Sequence, residues 1–174
     1  FRLHLVFVDD ASMDDTLAVL NRLTAGRTDC TLVRHPANQG VAHAILSGLD
    51  AAPGELVCSI DADCTYDPHG IGALAEALLT GATLVTASPY HPAGHVVGVP
   101  PWRLALSRTL SAMYRRVLRS DLHTFTSCFR GYRRSAIVGM PLEHSGFLGV
   151  AETMARTILA GAAVTEVPAT LESR

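Results

Sequence analysis

Two apolar runs in this chain each end in a pair of aspartates, and this repetition constrains the fold more than any other feature. Leu5-Val6-Phe7-Val8 runs into Asp9-Asp10, and Leu56-Val57-Cys58-Ser59-Ile60 runs into Asp61-Ala62-Asp63. An apolar run of about four to eight residues reads as a buried strand. In an open α/β sheet the ligand crevice lies outside the carboxyl ends of the strands. Carboxylates there are placed to meet a ligand, and hard oxygen donors suit Mg²⁺ or Mn²⁺, which in turn hold phosphates. Two strands ending in aspartates therefore suggest a nucleotide–metal site.

The rest of the pattern supplies the sheet. Residues 4–9, 31–33, 55–60, 82–87 and 163–167 read as strands, and 126–133 as extended. Residues 16–23, 41–49, 70–80, 102–119 and 150–160 read as helices. This alternation implies βαβ units, a mainly parallel mixed sheet and one α/β domain over residues 1–174. Residues 88–101, rich in proline and glycine, read as a loop and a mobile lid. In helix 102–119, Leu106, Leu110, Met113 and Val117 are expected to face the core. The chain opens inside a strand and ends at Leu171-Glu172-Ser173-Arg174 without a stop signal. Both ends are therefore expected to be truncated, with a strand neighbouring the first one absent.

Composition narrows the partners. No segment reaches the ~18 uninterrupted apolar residues of a membrane helix, and no secretory signal pattern opens the chain. The four cysteines lack CxxC spacing and read as reduced thiols of a cytoplasmic protein. Residues 1–88 hold 4 arginines against 11 acids, residues 89–174 hold 10 against 5, and there is no lysine. An acidic half beside an arginine-rich half fits a metal-bound phosphate on one side and a second anion on the other. Nucleic acid is not an expected partner. Near the acids, Ser12 and Asp14 suit the start of a helix, where side-chain oxygens cap free N–H groups. Asn38 and Gly40 open the next helix, either as a simple turn or as an anion-binding N-terminus.

These segments resemble a known family. Val8-Asp9-Asp10-Ala11-Ser12-Met13-Asp14-Asp15-Thr16 resembles the VDDxSxDxT segment of family 2 glycosyltransferases. Asn38-Gln39-Gly40, with Ala44 and Gly48, resembles their NxGxxxAxxxG helix start. Asp61-Ala62-Asp63 resembles their DxD motif, in the DAD form common in dolichyl- or polyprenyl-phosphate sugar transferases. Ser127-Cys128-Phe129-Arg130-Gly131-Tyr132-Arg133-Arg134 looks like the SGFRxYRR segment of that subgroup, and Gly146-Phe147 with Glu152, then Glu166-Val167-Pro168, match its late pattern. Five motifs in the correct order span nearly the whole chain.

The resemblance implies a GT-A-type fold and inverting transfer of a sugar from a nucleotide-diphosphate sugar to an acceptor. It places Asp9 or Asp10 on the base or ribose, with Ser12, Asn38, Gly40 and Asp61 also on the donor side. It gives Asp61 and Asp63 a Mg²⁺ or Mn²⁺ that neutralises the leaving diphosphate. A polyprenyl phosphate is the expected acceptor, its phosphate held by Arg103, Ser107, Arg130 and Arg174. Two positions depart from the pattern: Thr65 stands where a glutamine often helps hold the metal, and Pro89 stands where a Ser-Arg-Tyr triplet has its arginine. An acceptor with a neutral hydroxyl would need a base, for which Glu152 is the candidate. A nucleotidyltransferase and a non-catalytic nucleotide-sugar-binding relative are the alternatives. The arginines of helix 102–119 suggest peripheral contact with the cytoplasmic face of a membrane.

Overall fold

The structure, a computed structural model, describes residues 2–173. It opens with β1 (Leu5–Asp9), α1 (Thr16–Thr24), β2 (Cys30–Arg34), α2 (Val41–Ala51) and β3 (Leu56–Ser59). A short 3₁₀ turn then leads into α3 (Ile71–Leu79), followed by β4 (Leu84–Ser88), β5 (His95–Val97) and the long α4 (Pro101–Leu118). The last elements are β6 (Arg130–Arg133), α5 (Arg134–Ile137), α6 (Phe147–Leu159), β7 (Val164–Pro168) and β8 (Thr170–Glu172). The α/β alternation read from the sequence is present, with most boundaries within three residues.

The central sheet runs β3-β6-β4-β7. β6 is antiparallel to β3 and to β4, while β4 and β7 are parallel. The carboxyl ends of β3 and β4 therefore share one edge with the approach to β6, which brings the Asp61–Asp63 segment beside Ser127 and Cys128. β4 is buried along its whole length. Leu84 packs on one face with Leu49, Phe125, Tyr132, Ile137 and Met154. Val85 and Ala87 pack on the other with Leu74, Leu78 and Phe129. Gly131 allows α3 to press on β6, since a Cβ there would lie 3.0 Å from Leu78 Cδ1.

A mainly parallel mixed sheet was the expectation; three of the five strand pairings among the described residues are parallel, and the strands divide among three hydrogen-bonded sheets. β1 pairs in parallel only with β2, and β3 pairs only with β6, among the described residues. α2 joins the two sheets: its Ile45, Leu46 and Leu49 pack in the cluster that includes Val57 of β3, while its Gly48 admits Val8 of β1. The segment 88–101, expected to be an open lid, contains β5, which is bonded in parallel to β8. His91 N–H donates to Ser88 Oγ and His95 N–H to the Ala169 carbonyl, which fixes the segment further.

Two side-chain expectations are corrected. Leu106, Leu110, Met113 and Val117 do not face the core; all four are exposed. α4 packs through Leu104, Ser107, Ser111, Tyr114 and Leu118 instead, with Tyr114 stacked on Phe125 at 5.4 Å and Leu118 against the main cluster. Periodicity gave one apolar stripe, and the helix instead turns inward the face whose Tyr114 finds an aromatic partner. Arg130, expected at the acceptor phosphate, is fully buried. Its guanidinium donates to the Val150 carbonyl at 2.7 Å and the Phe125 carbonyl at 2.6 Å, so it ties β6 to α6 and to the preceding loop and has no face for a ligand.

Arg130→Leu should therefore act on stability. Two buried carbonyls lose their donor and a cavity opens, which should cost about 2–5 kcal/mol. Chemical denaturation measures this directly. A variant that unfolds like wild type but loses acceptor binding would restore the phosphate role.

Candidate functional site

The aspartates after β1 have divided roles. Asp10 Oδ1 accepts from Gln39 N–H at 2.7 Å and from His35 Nδ1 at 2.7 Å, and Oδ2 accepts from Gly40 N–H at 2.8 Å. Burial alone would raise its pKa, but the Gln39 N–H, the His35 imidazole and the Gly40 N–H together hold it below the ordinary aspartate value. Asn38 Nδ2 adds a long bond to the Asp10 carbonyl. Gly40 has φ +87° and packs against the Ser145 carbonyl, where a Cβ would sit at 2.5 Å; the same carbonyl accepts from Ala42 N–H. The start of α2 does bind an anion, as helix N-termini do, and that anion is Asp10. Asp9 is different. Its Oδ1 accepts from Ser12 N–H at 3.2 Å, while its Oδ2 is buried without a partner among the described residues. The Ser12 side chain is exposed, and Asp14 rather than Ser12 accepts from Thr16 N–H.

The second aspartate pair lies past β3. Asp61 is half-buried and Asp63 exposed. Burial, and then the neighbouring charge of Asp63, raise the Asp61 pKa, and the adjacent Cys128 thiol only partly opposes them. Asp63 Oδ1 accepts from both the backbone N–H and the hydroxyl of Thr65, at 3.0 and 2.8 Å, which leaves Oδ2 free. Asp67, not Asp63, caps the short 3₁₀ turn before α3, accepting from His69 N–H. Around the pair stand Cys128, whose thiol burial pushes up to about 12, and Tyr66, whose hydroxyl lies 3.5 Å from Ser127 Oγ. All four cysteines are free. A cavity of about 340 Å³ opens beside Tyr66, Ala87, Phe129 and Pro168, but neither Asp61 nor Asp63 lines it. The carboxylate pair, which carries unrelieved charge, marks the site better than the cavity does.

The acceptor-side residues are dispersed. Arg103 on α4 lies over the ring of its neighbour Trp102, 5.3 Å from the ring centre. Ser107 is half-buried on the packed face of the same helix. Arg174 lies outside the described residues. Glu152 on α6 accepts from the backbone N–H groups of Glu143 and His144, from His144 Nδ1 and from Arg156 Nε. Burial would raise its pKa, yet the Glu143 N–H, the Arg156 guanidinium and His144 bring it down to about 2. This is the geometry of a loop clasp. Sequence reasoning passed over two further groups. His123 donates its N–H to Glu166 Oε2 and pairs Nδ1 with Oε1, leaving Nε2 without a partner among the described residues. Arg108 lies 5.5 Å from the ring centre of Tyr90, just after β4. The signal for the first was an acid inside the apolar pattern of β7; the second left none.

The strand order and the carboxylates at the sheet edge define a GT-A-type α/β domain. Residues 1–139 match the family described as Glycosyl transferase family 2, and the chain belongs to that family. It is 31% identical over 180 residues to polyprenol monophosphomannose synthase of Mycolicibacterium smegmatis, covering 99% of this chain and 68% of that protein. It is 28% identical over 145 residues to dolichol-phosphate mannosyltransferase of Pyrococcus furiosus, covering 82% of this chain but only 41% of that one. Among solved structures, glucosyl-3-phosphoglycerate synthase of Mycobacterium tuberculosis shares the fold with TM-score 0.71 at 22% identity, over 98% of this chain and 62% of that one. The same synthase in complex with Mn²⁺, uridine diphosphate and phosphoglyceric acid gives TM-score 0.70 at 23% identity, over 98% and 58%.

The clasp at Glu152 has a pH signature. Its folded pKa of about 2 lies below the ordinary 4.5. Its contribution is therefore complete above about 4.5 and is lost as pH falls from there toward 2. Glu152→Gln should cost about 1–3 kcal/mol at neutral pH and flatten the acid limb of the stability curve across that window. Unchanged stability together with a collapsed transfer rate would return Glu152 to the role of base.

Proposed function

We propose that this chain transfers a sugar, with inversion, from a nucleotide-diphosphate sugar to a polyprenyl phosphate, using a divalent cation held by Asp61 and Asp63. The observation that carries this reading is the unrelieved carboxylate pair at the sheet edge, with the Asp61 pKa raised by burial and by Asp63. The donor set fits Mg²⁺ or Mn²⁺. Among the described residues no cluster of three or more histidine, cysteine or acidic side chains could hold a metal ion. Such cations are held by one or two carboxylates, the remaining ligands being water and substrate phosphates. When bound, the cation offsets the charge of the leaving diphosphate. A solved structural neighbour was crystallised with Mn²⁺ and uridine diphosphate.

The other assignments follow from what each residue has free. Asp9 is 2% exposed and its unpartnered Oδ2 is buried, so the Asp10 side chain, 20% exposed, is the carboxylate of the pair that a base or ribose donor can reach. Asn38 and Gly40 then serve the donor by shaping the turn, and Ser12 stands exposed at its rim. On the acceptor side Arg103 and Ser107 hold the phosphate from α4, supported by the names of the two relatives, which both specify polyprenol or dolichol phosphate chemistry. A phosphate oxygen is already anionic and needs no strong base. A neutral hydroxyl would need one, and a carboxylate held near 2 is a poor choice. For such an acceptor the open Nε2 of His123, oriented by Glu166, is a better candidate base than Glu152. The chain is one glycosyltransferase domain placed at the cytoplasmic face of a membrane; no helix among the described residues is long and apolar enough to cross it.

Transfer of labelled sugar to polyprenyl phosphate in detergent, with Mn²⁺, tests the proposal. Asp63→Ala should lower the rate by a factor of about 100 or more with an unchanged unfolding midpoint. Undiminished turnover by that variant would remove the metal assignment.

A further inference from the structure

Two histidines meet past the carboxyl end of β4. His91 N–H donates to Ser88 Oγ, and Ser88 Oγ lies 2.8 Å from Thr124 Oγ1. Thr124 is the chain neighbour of His123. One buried hydroxyl pair therefore holds both histidines at the same place, and their rings stand edge to face with centres 6.3 Å apart. Glu166 fixes the second ring. One of its oxygens accepts from the His123 N–H and the other pairs with Nδ1. The Glu166 side chain is 8% exposed, whereas that of His123 keeps 31% of its surface open, with Nε2 as its unengaged nitrogen.

The proton positions select an anion as ligand. His91 Nδ1 accepts from Ala93 N–H at 3.1 Å, so the ring proton of His91 is on Nε2. That nitrogen offers an N–H and no lone pair, which suits an oxygen acceptor and not a metal ion. His123 Nδ1 faces a carboxylate, which only accepts; Nε2, once protonated, is a second N–H aimed away from it. Arg108 brings a third group. It follows Ser107 on α4, is exposed, and lies over the ring of Tyr90, one residue before His91. Glu166, the acid in contact with the set, has both oxygens engaged. A planar guanidinium beside imidazole N–H groups suits a phosphate.

The sheet sets this group across from the carboxylate pair. β3, β4 and β7 run the same way in the order β3-β6-β4-β7, so Asp61 and the two histidines share one edge. Three strand spacings, roughly 14 Å, separate β3 from β7. Tyr66 borders both ends: burial pushes its hydroxyl up to about 12, and Tyr90 and Asp61 add to this against a bond to Ser127. We propose that His123, oriented by Glu166 and paired with His91, binds the phosphate of the acceptor together with Arg108, across the groove from Asp61 and Asp63. This deepens the reading of a polyprenyl-phosphate acceptor and rests on it. The phosphate is then held between α4 and the β4–β7 edge, and His123 serves it as a ligand, not as a base.

The probe is farnesyl phosphate, a short and soluble prenyl phosphate, added to protein labelled with ¹⁵N-histidine. The chain has eight histidines, and the spectrum of His123→Gln assigns the His123 ring. The ring signals of His123 and His91 in the unaltered chain should move with farnesyl phosphate and reach saturation, and stay in place with farnesol. Rings that stay silent would overturn the proposal. So would rings that answer to uridine or guanosine diphosphate but not to farnesyl phosphate, which assigns them to the sugar donor. In the transfer assay His123→Gln, which keeps an N–H for Glu166, should raise KM for polyprenyl phosphate at least about tenfold while KM for the sugar donor stays the same. His123→Arg, which restores a cation, should recover part of that loss; equal losses in both variants would assign a structural role and overturn the proposal. A fall in kcat alone, seen with a hydroxyl acceptor, would overturn it by making His123 the base. Rings that respond to farnesyl phosphate in a protein that fails to glycosylate polyprenyl phosphate would support the anion site while removing the acceptor reading. Transfer to polyprenyl phosphate with silent rings would remove the anion site alone.

Discussion

The carboxylate of Asp10 holds the β1–α2 end of this molecule together. It gathers the end of β1, the turn after β2 and the start of α2 around one anion, through His35 Nδ1, Gln39 N–H and Gly40 N–H. The other nitrogen of His35 reaches Ser47 on α2 at 2.9 Å, which closes the link on the same helix. A carboxylate at a helix N-terminus is favoured by the free N–H groups and by the helix dipole. α2 is also the element that packs on both sheets. The position of Asp9 relative to Asp61, two strands that are not bonded to each other, therefore passes through Asp10.

The acids of this chain fall into two groups by what they accept. Asp10, Glu152 and Glu166 are bonded to backbone N–H groups or to histidines distant in sequence, and they fix loops. Asp61, the free oxygen of Asp63 and the buried Oδ2 of Asp9 keep acceptor capacity or charge that the protein does not satisfy. A folded chain rarely leaves a buried acceptor unpaired, because the desolvation cost is about 1–3 kcal/mol. The unsatisfied group lies past the ends of β1 and β3, where α/β sheets bind ligands. The arginines divide in the same way. Arg130 and Arg134 bond backbone carbonyls inside the fold, whereas the arginines of α4 stand outside.

Much of the fold was legible because apolar runs and breakers mark buried strands directly, as at Leu5–Val8 and Leu56–Ile60. The insertion of β6 between β3 and β4 was not legible, since an antiparallel pairing across some 70 residues leaves no local trace. The facing of α4 was misread for a related reason. The more apolar stripe, Leu106, Leu110, Met113 and Val117, faces out, and the face with Ser107 and Ser111 turns inward, where Tyr114 stacks on Phe125, a residue outside the helix. Within the candidate site, Asp61 and Asp63 stood out through their place after an apolar run and through the resemblance of Asp61-Ala62-Asp63 to the DxD motif. The pairing of Asp10, the burial of Arg130 and the clasp at Glu152 all depend on partners distant in sequence: Gln39 for the first, Val150 for the second, and a loop eight or nine residues upstream for the third. Residue type announces that a carboxylate or guanidinium will be bonded; only tertiary packing decides to what.

The central claim is that Asp61 and Asp63 bind a divalent cation jointly with a nucleotide diphosphate. Electron paramagnetic resonance of free Mn²⁺, titrated with protein in the presence and absence of uridine or guanosine diphosphate, tests it most directly. The claim predicts that one Mn²⁺ per chain leaves the free signal only when the diphosphate is present, and that Asp61→Asn returns it to solution. Nucleotide-dependent Mn²⁺ binding of equal stoichiometry and affinity in Asp61→Asn would contradict it.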